Sequence, residues 1–261
     1  MNRESFPVTL LVDLTLNNLV PAGAMPSQWV LPPGEQVPLL RLQVADPQQS
    51  WDYSYRLSWV RGDFRVQHDD SYVYSLPYRP GSGFEVSQSY NGRFSHHGDS
   101  RYAIDFAMPE GTPVVAAREG RVVAVRSDST VGGPDRKYED AANYVVIAHA
   151  DGTFGEYLHL YPHSVRVQTG DYVRRGQLLA LSGNTGFSSG PHLHFMVSGA
   201  TADGGRRSFP VRFSTAEGIV AELQIGRAYR HGEEPLPSGR DLEVEGLAGA
   251  SAGDAAAAGG D

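Results

Sequence analysis

Hydrophobic side chains in this chain recur at every second residue far more than at every third or fourth, and that period confines it to β structure. Between residues 6 and 16 the apolar positions are Phe6, Val8, Leu10, Val12, Leu14 and Leu16, with Pro7, Thr9, Asp13 and Thr15 among the residues between them. Alternation of this kind sends one set of side chains to each face of a strand. It returns over residues 40–44 and 51–59, where Trp51, Tyr53, Tyr55, Leu57 and Trp59 share one face. An aromatic row at strand spacing is expected to be core. Pro, Gly and Asn separate these runs, and almost no segment sustains a helical period. The pattern predicts a mostly β protein, with a small β-sandwich-like domain over residues 1–75 and a second β domain over residues 76–240. Residues 241–261 are mainly Ala, Gly and Asp, with almost nothing to bury, and are expected to be disordered.

Composition narrows the partners. The 261 residues suffice for one large or two modest domains, and the absence of cysteine removes disulfides and thiolate metal sites. A net charge of −8 offers no basic footprint for nucleic acid or an anionic membrane. The alternating N-terminal run lacks the unbroken apolar core of an export signal, and no run approaches the roughly 20 apolar residues of a membrane span.

Chemistry is concentrated in three islands. In the first, His192 and His194 flank Leu193 within an apolar run, so both imidazoles share one strand face while Leu193, Phe195 and Val197 take the other, toward a core. A second island holds His96, His97, Asp99 and Asp105, and a third holds His159 between Leu158 and Leu160. Imidazoles and a carboxylate can make a three-ligand zinc site with a position left for water. No His-Glu-x-x-His segment occurs, so the glutamate base of helical zinc proteases is missing and an imidazole must take its place.

The order His-x-Gly…Asp, Tyr-x-His-Leu and Gly-Asn-Thr-Gly…Gly-Pro-His-Leu-His-Phe resembles the lysostaphin-type, or LytM-like, zinc endopeptidases, which cut peptide bonds in bacterial peptidoglycan. The resemblance runs from about Leu76 to Phe213. It implies a lysostaphin-type antiparallel β catalytic domain, Zn²⁺ held by His96, Asp105 and His194, and His159 and His192 as catalytic imidazoles. Which of those two removes a proton stays open. Compact members place the first His and the Asp four positions apart, whereas nine separate His96 from Asp105 here. His97 and Asp99 are therefore rivals; Gly98 completes His-x-Gly for His96, and the Phe-Ala-Met-Pro-Glu-Gly-Thr-Pro-Val that follows favours Asp105. The resemblance further implies peptidoglycan as partner and a periplasmic or secreted location. A catalytically inactive relative that binds cell wall or regulates another hydrolase is the alternative. A phosphocarrier is a second one, but it has no use for Asp105.

Other polar residues have plainer readings. His149 reads as structural or rim, and His68, His163 and His231 as surface. Glu156 lies an odd number of residues from His159 and should face away from it. Tyr157 reads as a groove wall or a substrate contact, residues 128–140 as a long loop beside the groove, and residues 170–180 as two strands around a tight turn.

Overall fold

The computed structural model describes residues 1–26 and 28–232; the expected disordered tail, and the last residues of the expected second domain, lie outside the described residues. Period-two alternation becomes strand along most of this length, and the helical pieces among the described residues are two 3₁₀ turns, Gly98–Ser100 and Arg136–Ala141. The chain is nearly all β, as its periodicity predicts.

A nine-stranded antiparallel sheet carries the architecture. Across it run Tyr172–Val173, Gly120–Arg126, Tyr144–Ala148, Phe154–Leu158, Leu193–Ala200, Ile104–Phe106, Gly83–Gln88 and Ala228–Arg230, with Arg206–Phe209 also paired to Leu193–Ala200. All eight residues of Leu193–Ala200 are buried. Leu193, Phe195 and Val197 enter the main core with Ile104, Val145 and Tyr157. Tyr74 joins them from Val73–Ser75, which pairs in parallel with Arg212–Thr215.

The other face is covered at one end by the N-terminal strands. Val8–Asn17 lies between Gln28–Leu31 and Asp52–Arg61, and Phe6, Val8, Leu10 and Leu31 pack on Val123, Val146 and Phe154. The two-layer packing expected inside residues 1–75 is thus made between this small sheet and the large one. Register shows what the cover leaves open. Phe154 pairs with Ser198 at the covered end, whereas Leu158 pairs with His194 four residues along. The end carrying His194 therefore lies beyond the N-terminal sheet.

The aromatic row on residues 51–59 is not core. Tyr53, Tyr55 and Trp59 are 51%, 61% and 58% exposed, and together with Leu14 and Leu42 the tyrosines line an open apolar trough. Alternation correctly assigned these side chains to one face, but a face becomes core only when another layer reaches it. The ten-residue pair of Val8–Asn17 with Asp52–Arg61 outruns the sheet on which it rests. Two histidines expected at the surface are inside. His68 stacks on Phe209 with centroids 5.1 Å apart, and His231 is buried beside Tyr78. Tyr157 is fully buried and its hydroxyl accepts the Ala117 N–H at 2.8 Å, so it is core and not a groove wall. The two strands expected in residues 170–180 exist, but Tyr172–Val173 pairs with Gly120–Arg126 while Leu178–Leu181 pairs with Pro113–Val115.

His149 is buried, and its Nδ1–H donates to the Glu119 carbonyl at 2.8 Å while Nε2 meets no partner. Burial, reinforced by the Arg118 guanidinium, pushes its pKa down from 6.5 to about 3. The unfolded chain then binds the extra proton between these two values, so stability is whole above about pH 6.5 and is lost as pH falls toward about 3. His149→Gln, which keeps a donor for the Glu119 carbonyl, should flatten the decline of melting temperature between about pH 7 and about pH 4. Equal slopes for the two proteins would remove His149 as a source of acid sensitivity.

Candidate metal centre

Strand register builds the first half of the site. His194 and Asp105 are direct cross-strand partners, so their side chains share one face and meet, with His194 Nδ1 2.8 Å from Asp105 Oδ1. His96 arrives from the loop that joins Gly83–Gln88 to Ile104–Phe106 and sets Nε2 3.1 Å from the same oxygen. His96, Asp105 and His194 are all buried, and one donor atom from each falls within 4.8 Å of the others. His97, by contrast, is exposed and directly precedes the Gly98–Ser100 turn, and Asp99 lies in that turn.

Local hydrogen bonds fix which ring nitrogens carry protons. The Nδ1–H groups of His96, His159 and His192 donate to the carbonyls of Ser89, Thr185 and Gly190 at 2.9, 2.7 and 2.8 Å. A carbonyl only accepts, so each neutral ring presents an unprotonated Nε2. For His96 this is decisive. Its Nε2 is fully buried, has no hydrogen-bond partner, and points a lone pair at a carboxylate oxygen. Two facing lone pairs repel, and a cation between them removes the conflict. The residues present therefore fit a bound metal.

The second half is the His159–His192 pair, whose rings lie 4.5 Å apart beside the cluster. Phe154–Leu158 ends one residue before His159, which takes a left-handed backbone with φ 63°. Such a conformation costs a non-glycine residue on the order of 1 kcal/mol or more, and here it turns the ring toward His192 instead of leaving it in strand alternation. His192 Nε2 stands 3.7 Å from Asp105 Oδ1. Glu156 faces elsewhere, paired with Arg206 at 2.8 Å and hydrogen-bonded by Ser198.

Burial alone would raise the Asp105 carboxyl, but the hydrogen bond from His194 and the surrounding imidazoles hold it well below the usual carboxylate range. Burial drives His159 down to about 3, helped by the neighbouring His192 and His194, and it lowers His194 as well. The site thus pairs an ionised carboxylate with neutral imidazoles, the protonation states a metal requires of its ligands.

The cleft above this cluster is lined by Gln88, Phe94, His159, Phe187, Pro191 and His192 among others, with a volume of about 230 Å³. Phe94 and Phe187 stack at 5.2 Å with planes 13° apart, and the Arg136 guanidinium lies 5.5 Å from the Phe187 ring. Gly132–Gly133 pairs with Gly186–Phe187, so the segment expected as a loop beside the groove does border it. Sequence reasoning missed Phe94, Phe187 and Gln88. None belongs to a metal-ligand pattern, and only the folded loops bring them to the cleft.

The two adjacent histidines give a sharp test. His96→Ala should weaken metal binding and abolish activity, whereas the exposed His97→Ala should keep its metal and lose at most a modest part of the rate. Side-by-side metal content and activity decide it, and a metal-free His97→Ala protein beside a loaded His96→Ala protein would reverse the assignment.

Residues 99–205 match the description Peptidase family M23, a span that includes Asp105, His159, His192 and His194 and begins three residues after His96. The peptidoglycan DD-endopeptidase ShyA of Vibrio cholerae is 35% identical over 148 residues, covering 54% of this chain and 32% of that protein. Lysostaphin of Staphylococcus simulans is 38% identical over 100 residues, covering 38% of this chain and 18% of that protein. The chain thus spans about a third or less of the length of these relatives. A solved zinc-containing peptidase from Vibrio cholerae aligns at 29% identity and a TM-score of 0.33, covering 56% of this chain and 45% of that one. Residues 99–205 are thus similar to peptidase family M23, and the relatives that share this stretch carry the names of peptidoglycan-cutting and lysostaphin-type enzymes.

Proposed function

We propose that the chain is a zinc-dependent endopeptidase that hydrolyses peptide bonds in the stem peptides or cross-links of bacterial peptidoglycan. The observation that carries this reading is the union, on one open end of a sheet face, of the His96–Asp105–His194 donor cluster with the His159–His192 pair. A catalytic zinc keeps three protein ligands and an open position, and two imidazoles with one carboxylate are donors it accepts. Bound there, zinc supplies a Lewis acid that polarises the scissile carbonyl and draws the pKa of water toward about 7.

The chain's own residues do the rest. His159 and His192 present unprotonated Nε2 atoms on the same side of the donor cluster, held in that tautomer by Thr185 and Gly190. One takes the proton of the attacking water; the other hydrogen-bonds the developing oxyanion or protonates the leaving amine. The cleft, with a volume of about 230 Å³, is bordered by the stacked rings of Phe94 and Phe187, apolar surfaces against which a peptide can pack. Peptidoglycan as substrate is supported by the relatives' names, one of them a peptidoglycan DD-endopeptidase. Acting there requires a periplasmic or secreted location, and among the described residues no helix is long and apolar enough to cross a membrane.

Digestion of purified sacculi, with analysis of the fragments, tests the reading and reports bond specificity together. Soluble muropeptides should appear, stop with a chelator and return with zinc. A zinc-loaded protein that releases nothing from sacculi of either the diaminopimelate or the glycine-bridged type would favour an inactive wall-binding relative.

A further inference from the structure

We infer that Gln88 is a positioning residue that confines Asp105 to a one-oxygen metal contact and ties it to the loop that carries His96. The inference rests on the zinc reading above. Gln88 is buried at the end of Gly83–Gln88, opposite Asp105 in register, and the pairing shifts between Val86 and Gln88. Such irregularities re-aim side chains near sites. Here Gln88 reaches Asp105 from the adjacent strand.

The orientation of its amide is fixed by what surrounds it. Gln88 Oε1 accepts the backbone N–H groups of Phe94 and Ser95 at 3.1 and 3.3 Å. Those donors need an oxygen, so Nε2 must face the other way. It donates to Asp105 Oδ2 at 2.9 Å and to Ser95 Oγ at 2.8 Å. The amide is satisfied on both ends. The loop winds around it: Gly92 leaves no room for a Cβ against the Gln88 side chain, and the Gly92 carbonyl accepts the His96 N–H at 3.1 Å.

Two consequences follow for the donor cluster. Asp105 Oδ2 is engaged by Gln88, while Oδ1 is the oxygen that faces His96, His194 and His192. A carboxylate held this way would offer a metal the one oxygen that faces the histidines, its other oxygen being engaged by Gln88. In addition, one side chain links the strand bearing Asp105 to the loop bearing His96, so two donors that start nine residues apart keep a fixed separation. Outer partners of this kind typically contribute about 10- to 100-fold to metal affinity.

A purely structural role for Gln88 would act through the loop, and the experiment separates the two. Gln88→Met keeps chain length and removes the amide; Ser95→Ala removes only the bond to the loop side chain. The readouts are zinc affinity by chelator competition, the visible absorption spectrum of the cobalt-substituted protein, and the melting temperature of the metal-free protein. We expect Gln88→Met to bind zinc about 10- to 100-fold more weakly and to show an altered cobalt spectrum, with Ser95→Ala close to the parent in both. Should Gln88→Met fail to fold, Gln88→Asn, whose shorter amide withdraws from Asp105, supplies the same measurements. If Gln88→Met retains the parent's spectrum and affinity, or if Ser95→Ala changes them as much, the inference about Gln88 is overturned while the zinc reading stands. A parent protein that takes up neither zinc nor cobalt overturns the zinc reading itself.

Discussion

Asp105→Ala and His194→Ala proteins should emerge nearly free of zinc, against one zinc per chain in the parent, and should digest no wall material. Each change removes one of three donors whose contact atoms lie within 4.8 Å of one another. Loss of even an outer partner costs about 10- to 100-fold in affinity, so loss of a donor should cost more than about 100-fold. Stability provides an independent reading. A ligand present at about 100 times its dissociation constant stabilises the folded state by roughly 2.7 kcal/mol, so added zinc should raise the parent's melting temperature and leave both variants almost unmoved. Full occupancy in both variants by elemental analysis would overturn this donor set.

The parts of this site that could be read from the sequence are those set by local periodicity and spacing. Alternation around Leu193 puts His192 and His194 on one face and the apolar residues in the core, because a central strand obeys its period whatever its neighbours do. The same rule was silent on coverage. It assigned Tyr53, Tyr55 and Trp59 to one face, yet among the described residues no layer covers them, and the row is exposed. It was also silent on the position of His159, whose left-handed backbone lies outside any strand period.

Adjacency across strands was hidden for a related reason. His194 and Asp105 are 89 residues apart in the chain and become neighbours only through register. The long His96 loop closes the same gap by a different means, winding about a glutamine amide that resembles nothing in a ligand pattern. What distinguishes it in the fold is that a buried carboxylate waits at one end of that amide.

His159→Ala and His192→Ala proteins should keep their zinc and lose at least about 10² in rate, the lower end of what positioned proton transfer contributes. Neither ring is in the donor cluster, and both are anchored by backbone carbonyls, His159 by Thr185 of another segment and His192 by Gly190 two residues before it. Removing either ring therefore leaves three donors and takes away one of two unprotonated Nε2 atoms. The pair also predicts non-additivity. With ring centroids 4.5 Å apart, the two imidazoles act as a unit on one reacting centre, one on the attacking water and the other on the oxyanion or leaving amine, so the double variant should be little worse than the poorer single one. Zinc content, measured on the same preparations as sacculus digestion, separates this outcome from loss of metal. Turnover like the parent's in either zinc-loaded single variant would remove that histidine from the mechanism, and full multiplication of the two defects would show that the rings act independently of one another.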